Sequence, residues 1–258
     1  MAFSLTQFQG VFEIRDDSGK PYIIIGGQAV NYWAETYLSS EPELAAFIPF
    51  VSKDIDFIGG RDDVLKTARQ LNLPARFPHR KLMTAFAGAA LLKIKDAPAN
   101  IEFVRAVPGV STTEVGKWAV TSEHDGKLIR IIDPISLLAC KLILALTVDQ
   151  RQRRDTDHAR ILLLCVRAFL RETLRGVEAG ELPARGWLGA TDRLLKLAES
   201  KTGRRAALKL KFSWPQALPD AEIAAFNGRW IAQFREKRLA QWREKIQQPL
   251  SRRRAPSK

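Results

Sequence analysis

Near its midpoint this chain changes character, and that change limits the folds open to it. Up to about Asp133, short apolar runs closed by glycine or turn residues alternate with amphipathic stretches of helical period; beyond it only the helical period continues. Strands and helices in alternation, followed by helices alone, predict an α/β (α+β) chain: a mixed sheet flanked by helices, then a helical C-terminal part. The charge changes in the same region. Residues 1–150 carry 16 Lys/Arg against 17 Asp/Glu, whereas residues 151–258 carry 25 against 11, so the net +13 of the 258-residue chain belongs to the second part. A polyanionic partner, RNA or DNA above all, and a merely solvated basic helical surface both fit that surplus. The expected division is 1–148 for the mixed domain, 149–250 for a basic helical domain, and 251–258, SRRRAPSK, for a disordered tail.

In the first part, YIIIG (Tyr22 to Gly26) reads as a buried strand, and GQAVNYWAETYL as a helix with Val30, Trp33, Ala34 and Tyr37 on one face. SKDIDFIGG (Ser52 to Gly60) alternates polar and apolar residues and stops at Gly-Gly, as a strand does. RDDVLKTARQLN predicts a helix with acids at its start. Ala90 to Asp96 and Asn100 to Val107 predict two strands joined across Ala97 to Ala99. Lys117 to Asp133 predicts a second hairpin, turning at His124-Asp125-Gly126. In the second part, Asp133 caps and Pro134 opens a helix through ISLLACKLILAL, and another helix runs from Asp155 to about Arg175. Gly176 to Gly189 reads as a loop, with helices near Asp192 to Ser200 and from Ala221 to Gln247.

Gly26-Gly27 stands where a strand gives way to a helix. Glycine there lets the backbone approach a phosphate, and a helix N-terminus offers its N–H groups to an anion; close packing of helix on strand explains the pair equally well. Asp54 and Asp56 are two apart in a strand, so both carboxylates face one side while Ile55 and Phe57 face the core. Two such carboxylates repel each other unless a cation lies between them. Magnesium (or manganese) takes oxygen ligands of this kind together with substrate phosphates. Glu102, between Ile101 and Phe103 on a later strand, adds a third acid. Taken singly, each acid is explained by an exposed polar strand face. Together they suit a metal site that activates a hydroxyl and stabilises an in-line displacement.

The order strand, Gly-Gly, helix, Asp-x-Asp and third acid, present as GGQAV, SKDIDF and NIEFV, resembles the nucleotidyltransferase superfamily. More narrowly, the chain is similar to the bacterial abortive-infection type nucleotidyltransferase toxins and their relatives. In that group a Ser or Thr precedes the first Asp by two positions, as Ser52 does. A proline-initiated helix bearing a lysine follows, then arginines and a basic-Asp pair; here these are Pro134 and Lys141, then Arg151, Arg154 and Asp155. The resemblance spans about residues 20–165. It implies a nucleotidyltransferase-type fold and magnesium-dependent transfer of a nucleotide from an NTP to an acceptor hydroxyl, with RNA, tRNA included, favoured. It implies that Asp54 and Asp56 hold the metal and carry the chemistry with Glu102, which would complete the metal site or act as general base. Gly26, Gly27 and Ser52 would cradle phosphate, and Lys141 would neutralise phosphate charge; the alternative for Lys141 is a helix lysine snorkelling to solvent. Asp155 would orient Lys141 or cap its own helix. Three departures, Gly-Gly for the frequent Gly-Ser, Glu as third acid, and His158 where many relatives carry Asp, leave an alternative open: a non-catalytic relative that binds nucleic acid or an antitoxin partner.

Cys140 and Cys165 lie in apolar, helix-like stretches and read as small core residues. His79, His124 and His158 have no zinc-ligand spacing. Trp187, Trp214, Trp230 and Trp242 read as core at helical spacing, with base stacking as the alternative. The run GRWIAQFREKRLAQWREK places Trp230, Phe234 and Leu239 opposite a basic side, suited to RNA, the body of the protein or a second subunit. The opening residues lack a basic stretch before a long apolar run, and the apolar runs are too short to cross a bilayer, so a cytoplasmic location without membrane contact is expected.

Overall fold

The computed structural model describes residues 1–151 and 153–247. The tail expected at 251–258 lies outside the described residues. The chain forms two compact units, Met1–Lys141 and one that begins at Leu142.

The first unit contains β1 (Ile23–Ile25), α1 (Gly26–Tyr37), β2 (Ile55–Ile58), α2 (Arg61–Gln70), β3 (Ala75–Arg76), β4 (Phe86–Ile94), β5 (Ala97–Val104), α3 (Thr112–Trp118), β6 (Val120–His124) and β7 (Lys127–Ile131). Its seven strands form one mixed sheet in the order β3-β4-β5-β2-β1-β7-β6. β2 runs parallel to β5 and β1 parallel to β7; the remaining pairs are antiparallel. Alternation decides which side chains go inward. Ile55 and Phe57 of β2 and Ile101 and Phe103 of β5 are buried, while Asp56 and Glu102 between them are only partly covered. Phe57 and Phe103 lie 5.6 Å apart between ring centroids, and Tyr22 meets Phe103 edge-on at 5.1 Å, a pairing that adds to their area burial. The Tyr22 hydroxyl donates to Asp63 Oδ1 at 2.8 Å, and the Gly60 amide donates to Asp63 Oδ2 at 2.6 Å. One carboxylate thus fastens the start of α2 beneath the sheet.

Three expectations are corrected in this unit. The β4–β5 hairpin turns at Lys95-Asp96, not across Ala97 to Ala99; both turn residues have positive φ, and Ile94 already pairs with Ala97. Here the ladder's apolar register outweighs the steric preference for Gly or Asn in such a turn. Lys117 lies in α3 rather than in a strand, because Ser111 and Glu114 form a reciprocal capping box. The strand expected from Ser52 begins only at Ile55; Ser52 makes an isolated bridge with Phe3. The hairpin at Asp125-Gly126 forms as expected, with positive φ at both positions.

α4 (Pro134–Thr147) carries the chain into the second unit, and Asp133 caps it, its Oδ1 accepting the amides of Ile135 and Ser136 at 3.1 Å each. The second unit continues with α5 (Asp155–Glu178), α6 (Ala184–Glu199), α7 (Lys201–Leu210), α8 (Asp220–Ala225), α9 (Arg229–Gln233), a π-helical turn (Phe234–Leu239) and α10 (Ala240–Gln247). Its core is built around indoles. Trp187, Trp214 and Trp242 are buried, and their N–H groups donate to the carbonyls of Leu170, Gly203 and Leu195.

The long helix expected from Ala221 to Gln247 is instead interrupted, and the chain leaves helical geometry between Ala225 and Arg229, at Asn227-Gly228. α6 starts at Ala184, well before Asp192, and so takes over part of the expected loop. The buried stripe of Trp187, Ala190, Thr191, Leu194, Leu195 and Ala198 outweighs the poor propensity of Gly186 and Gly189. α7 has no counterpart among the expected helices. Phe234 and Leu239 are buried, and Trp230 and Phe234 pack edge-on against Trp187, so the aromatic run serves the body of its own unit. Cys140 and Cys165 are buried and unbridged. Among the described residues no helix is long and apolar enough to cross a membrane.

Candidate active site

The sheet of the first unit carries one cross-strand row that brings acids, a cation and a helix end together. In register, Arg76 of β3 lies beside Ala89 of β4, Ala89 beside Glu102 of β5, Glu102 beside Asp56 of β2, and Asp56 beside Ile25 of β1. Residues paired in this way project from the same face. Gly26 follows Ile25 and opens α1.

Gly26 is fitted to Asp56. Its φ is +69°, a conformation that side chains rarely adopt, and a Cβ added there would stand 1.9 Å from Asp56 Oδ2. The carboxylate therefore rests against the bare Cα at the first turn of α1. That turn has no acidic residue and its N-cap, Ile25, supplies no side-chain cap, so its positive end favours an anion. Gly27 is buried in the same turn.

Asp54 precedes β2. The Asn100 amide of β5 donates to Asp54 Oδ1 at 2.8 Å, so the carboxylate takes the place of a backbone acceptor where the β2–β5 ladder ends. Glu102 is strongly perturbed by its surroundings. Burial first, then the Asp56 and Asp54 carboxylates, push its pKa up to about 7, against the pull of Arg76. Ala89, between Arg76 and Glu102, leaves room for the guanidinium to act across β4. Arg76 itself is exposed.

Ser52 is held by its backbone, which exchanges two hydrogen bonds with Phe3 at 2.8 and 2.9 Å. Gln28, the residue after Gly27, donates to the Phe3 carbonyl at 3.0 Å and fixes that segment to α1. Lys141 is 5% exposed, so it does not snorkel; a buried ammonium is tolerated only with partners. Asp155 belongs to the second unit. It is the first residue of α5 with Arg154 at the N-cap, so it is not the cap, and its Oδ2 accepts Arg153 Nε at 2.6 Å. His158 lies one turn further along α5.

The donor set has the hard oxygen chemistry that magnesium takes. Among the described residues, however, no three His, Cys, Asp or Glu side chains are grouped so that they could hold a metal ion by themselves. Asp54 is engaged by the Asn100 amide, and the Asp56 carboxylate lies against Gly26. Such a set suits an ion that takes one or two carboxylates and completes its shell with water and phosphate oxygens. Sequence reasoning missed Arg76 and the Asn100 amide. The apolar alternation of β4 signalled a strand, but not that β3 would place Arg76 in register with Glu102.

No protein-family model and no curated protein matches the chain. Among solved structures, an antigenic nucleotidyltransferase-like protein from Paracoccidioides brasiliensis is similar over 81% of this chain and 95% of its own, with 14% identity and a TM-score of 0.44. A likeness of that degree assigns no residue a role.

Proposed function

We propose that this chain is a nucleotidyltransferase that moves a nucleotide from an NTP to an acceptor hydroxyl, with RNA as the favoured acceptor. The observation that carries the reading is the Glu102·Asp56·Ile25 row running into Gly26, which sets two acids beside the open start of α1.

Asp54 and Asp56 are the residues that would hold magnesium, with the NTP phosphates supplying further ligands. Bound there, the ion would neutralise the carboxylates and the triphosphate charge. Gly26 and Gly27 let the triphosphate approach the α1 amides, with Ser52 at the neighbouring edge and Lys141 as a further positive charge. Glu102, its pKa raised to about 7, is poised to take the proton of the acceptor hydroxyl. That oxygen then bonds to the α-phosphorus while the bond from the α-phosphorus to the bridging oxygen breaks, and pyrophosphate leaves. The basic surplus of the second part supports a polyanionic acceptor.

The test is to incubate the purified chain with α-labelled NTPs, magnesium and total RNA. Label entering RNA, and its loss in Asp56→Asn, supports the reading; no transfer to RNA, protein or small acceptors sinks it. One observation favours a second reading, a non-catalytic nucleotidyltransferase-like protein: among the described residues no three side chains are grouped to hold an ion. Calorimetry separates the two. NTP binding that requires magnesium supports the enzyme, and RNA binding with no NTP binding supports the alternative.

A further inference from the structure

The acids of the second unit are largely spent on their neighbours. Glu222 takes Arg171, Asp192 takes Lys196 and Arg238, and Asp220 takes Arg243. α7 stands apart from this pattern. From Ser200 to Pro219 the chain has no acid and five cations: Lys201, Arg204, Arg205, Lys209 and Lys211.

The helix places them on one side. Gly203, Ala206 and Leu210 are buried in the unit. Lys201, Arg205 and Lys209 follow one another at four-residue intervals along the exposed side, about 6 Å of rise apart, and Lys211 is exposed just beyond. Arg204 is engaged with the Lys245 carbonyl and Lys209 with that of Ala145. Among the described residues, Lys201, Arg205 and Lys211 make no side-chain hydrogen bond or ion pair. The first turn of α7 has no acid and begins with Lys201, so its charge opposes the helix dipole. Folding alone gives no reason for that choice, and such local conflicts are expected where a surface serves a partner.

We propose that the exposed side of α7 binds the phosphodiester backbone of an RNA strand, with Lys201, Arg205 and Lys211 each on a phosphate. This deepens the reading above by naming where the acceptor docks, and it rests on that reading only for the identity of the strand. A membrane surface fits poorly. The apolar side of α7 is already covered, and Leu208, 70% exposed, is the lone large apolar side chain on its open side, too little to enter acyl chains. Exposed cations along one side of a helix, without an aromatic anchor, suit a phosphate backbone better than a protein hot spot.

The experiment measures binding of a labelled single-stranded RNA to the full chain by fluorescence anisotropy, without NTP, across a salt series. The variant replaces Lys201, Arg205 and Lys211 with Gln together. A control replaces Lys20, Lys81 and Lys117 of the first unit, removing the same charge elsewhere. The expected result is an affinity loss of at least roughly tenfold for the α7 variant only. Its slope of log affinity against log salt should be shallower by about 2, at about 0.7 per lost phosphate contact. An unchanged melting curve shows that the variant is folded, and Lys201→Arg with Lys211→Arg should bind like the parent. Equal losses in both triple variants, no loss in the α7 variant, or binding to phosphatidylserine vesicles in place of RNA each overturns the proposal. Asp56→Asn should dock RNA normally, so failure of docking and failure of transfer are read separately.

Discussion

The two units treat charge in opposite ways. In the first, acids gather: Asp56 and Glu102 are direct neighbours across β2 and β5, Asp54 is close enough to be felt, and Arg76 partly offsets them at Glu102. In the second, acids are dispersed into ion pairs, and α7 carries a run of cations with no acid among them. Each arrangement costs the isolated chain some stability, the first through repulsion and desolvation, the second through like charges at a helix start. In the proposed function each cost would be offset by a partner of opposite sign, a metal–triphosphate in one unit and a polyanion in the other.

The comparison breaks most visibly at Asp56. Asp56→Asn should lower label transfer by at least roughly 10²-fold, the scale of losing one group that stabilises a transition state, while RNA affinity stays within about twofold. Transfer that survives would remove the chemistry from the sheet face.

Two glycines with the same backbone sharpen the point. Gly26 and Gly180 have φ of +69° and +75°, but a Cβ would strike the Asp56 carboxylate at the first and meet nothing within 4 Å at the second. Gly180→Ala should cost about 1–2 kcal/mol, the left-handed strain alone. Gly26→Ala should cost about 3 kcal/mol or more because the carboxylate must also move. Urea unfolding measures both, and equal costs would mean that Asp56 does not rest on Gly26.

A smaller effect concerns pH. Glu102 titrates at about 7 in the folded chain, above the ordinary carboxyl value of 4.5, so the native state binds its proton more tightly than the unfolded state does. Stability from this group is fully present below pH 4.5 and is lost as pH rises through about 7. In metal-free buffer at pH 8, Glu102→Gln should therefore be the more stable protein. After a discount for partial exposure the gain is about 1–2 kcal/mol, and it should vanish below pH 4.5. Thermal melts across pH, repeated with magnesium and NTP, should show the order reverse when the ligand is present.

The smallest effect belongs to Arg76. Arg76→Gln should change stability by less than about 0.5 kcal/mol, because the side chain is exposed. It should also move the Glu102 titration further upward, since the lowering influence is gone; carboxyl chemical shifts followed against pH would report it.

How much of this was legible beforehand differs from element to element. β1, α1, α2, α4 and α5 are near their expected places, because each has an apolar period strong enough to specify its own burial. The Asp133 cap and the Asp125-Gly126 turn are local chemistry and appear as local chemistry predicts. Elements set by distant partners were not legible. β3 is two residues long and exists because β4 pairs with it, and α6 starts early because its indole stripe finds a core. At the site, Asp54, Asp56, Glu102 and Gly26 stood out by residue type and order, whereas Arg76 and Asn100 became relevant only through register.

The amino-acid order alone determined that acids alternate with core residues on two strands, that a glycine pair separates a strand from a helix, and that the surplus cations lie late in the chain. These follow from bonds and spacings a few residues long. Only the tertiary structure decided that β5 lies next to β2 with Glu102 opposite Asp56, that Lys141 is buried, and that α7 turns its cations outward. Pairing and burial between residues far apart in the chain depend on which surfaces together exclude the most water, and no short window of sequence contains that comparison.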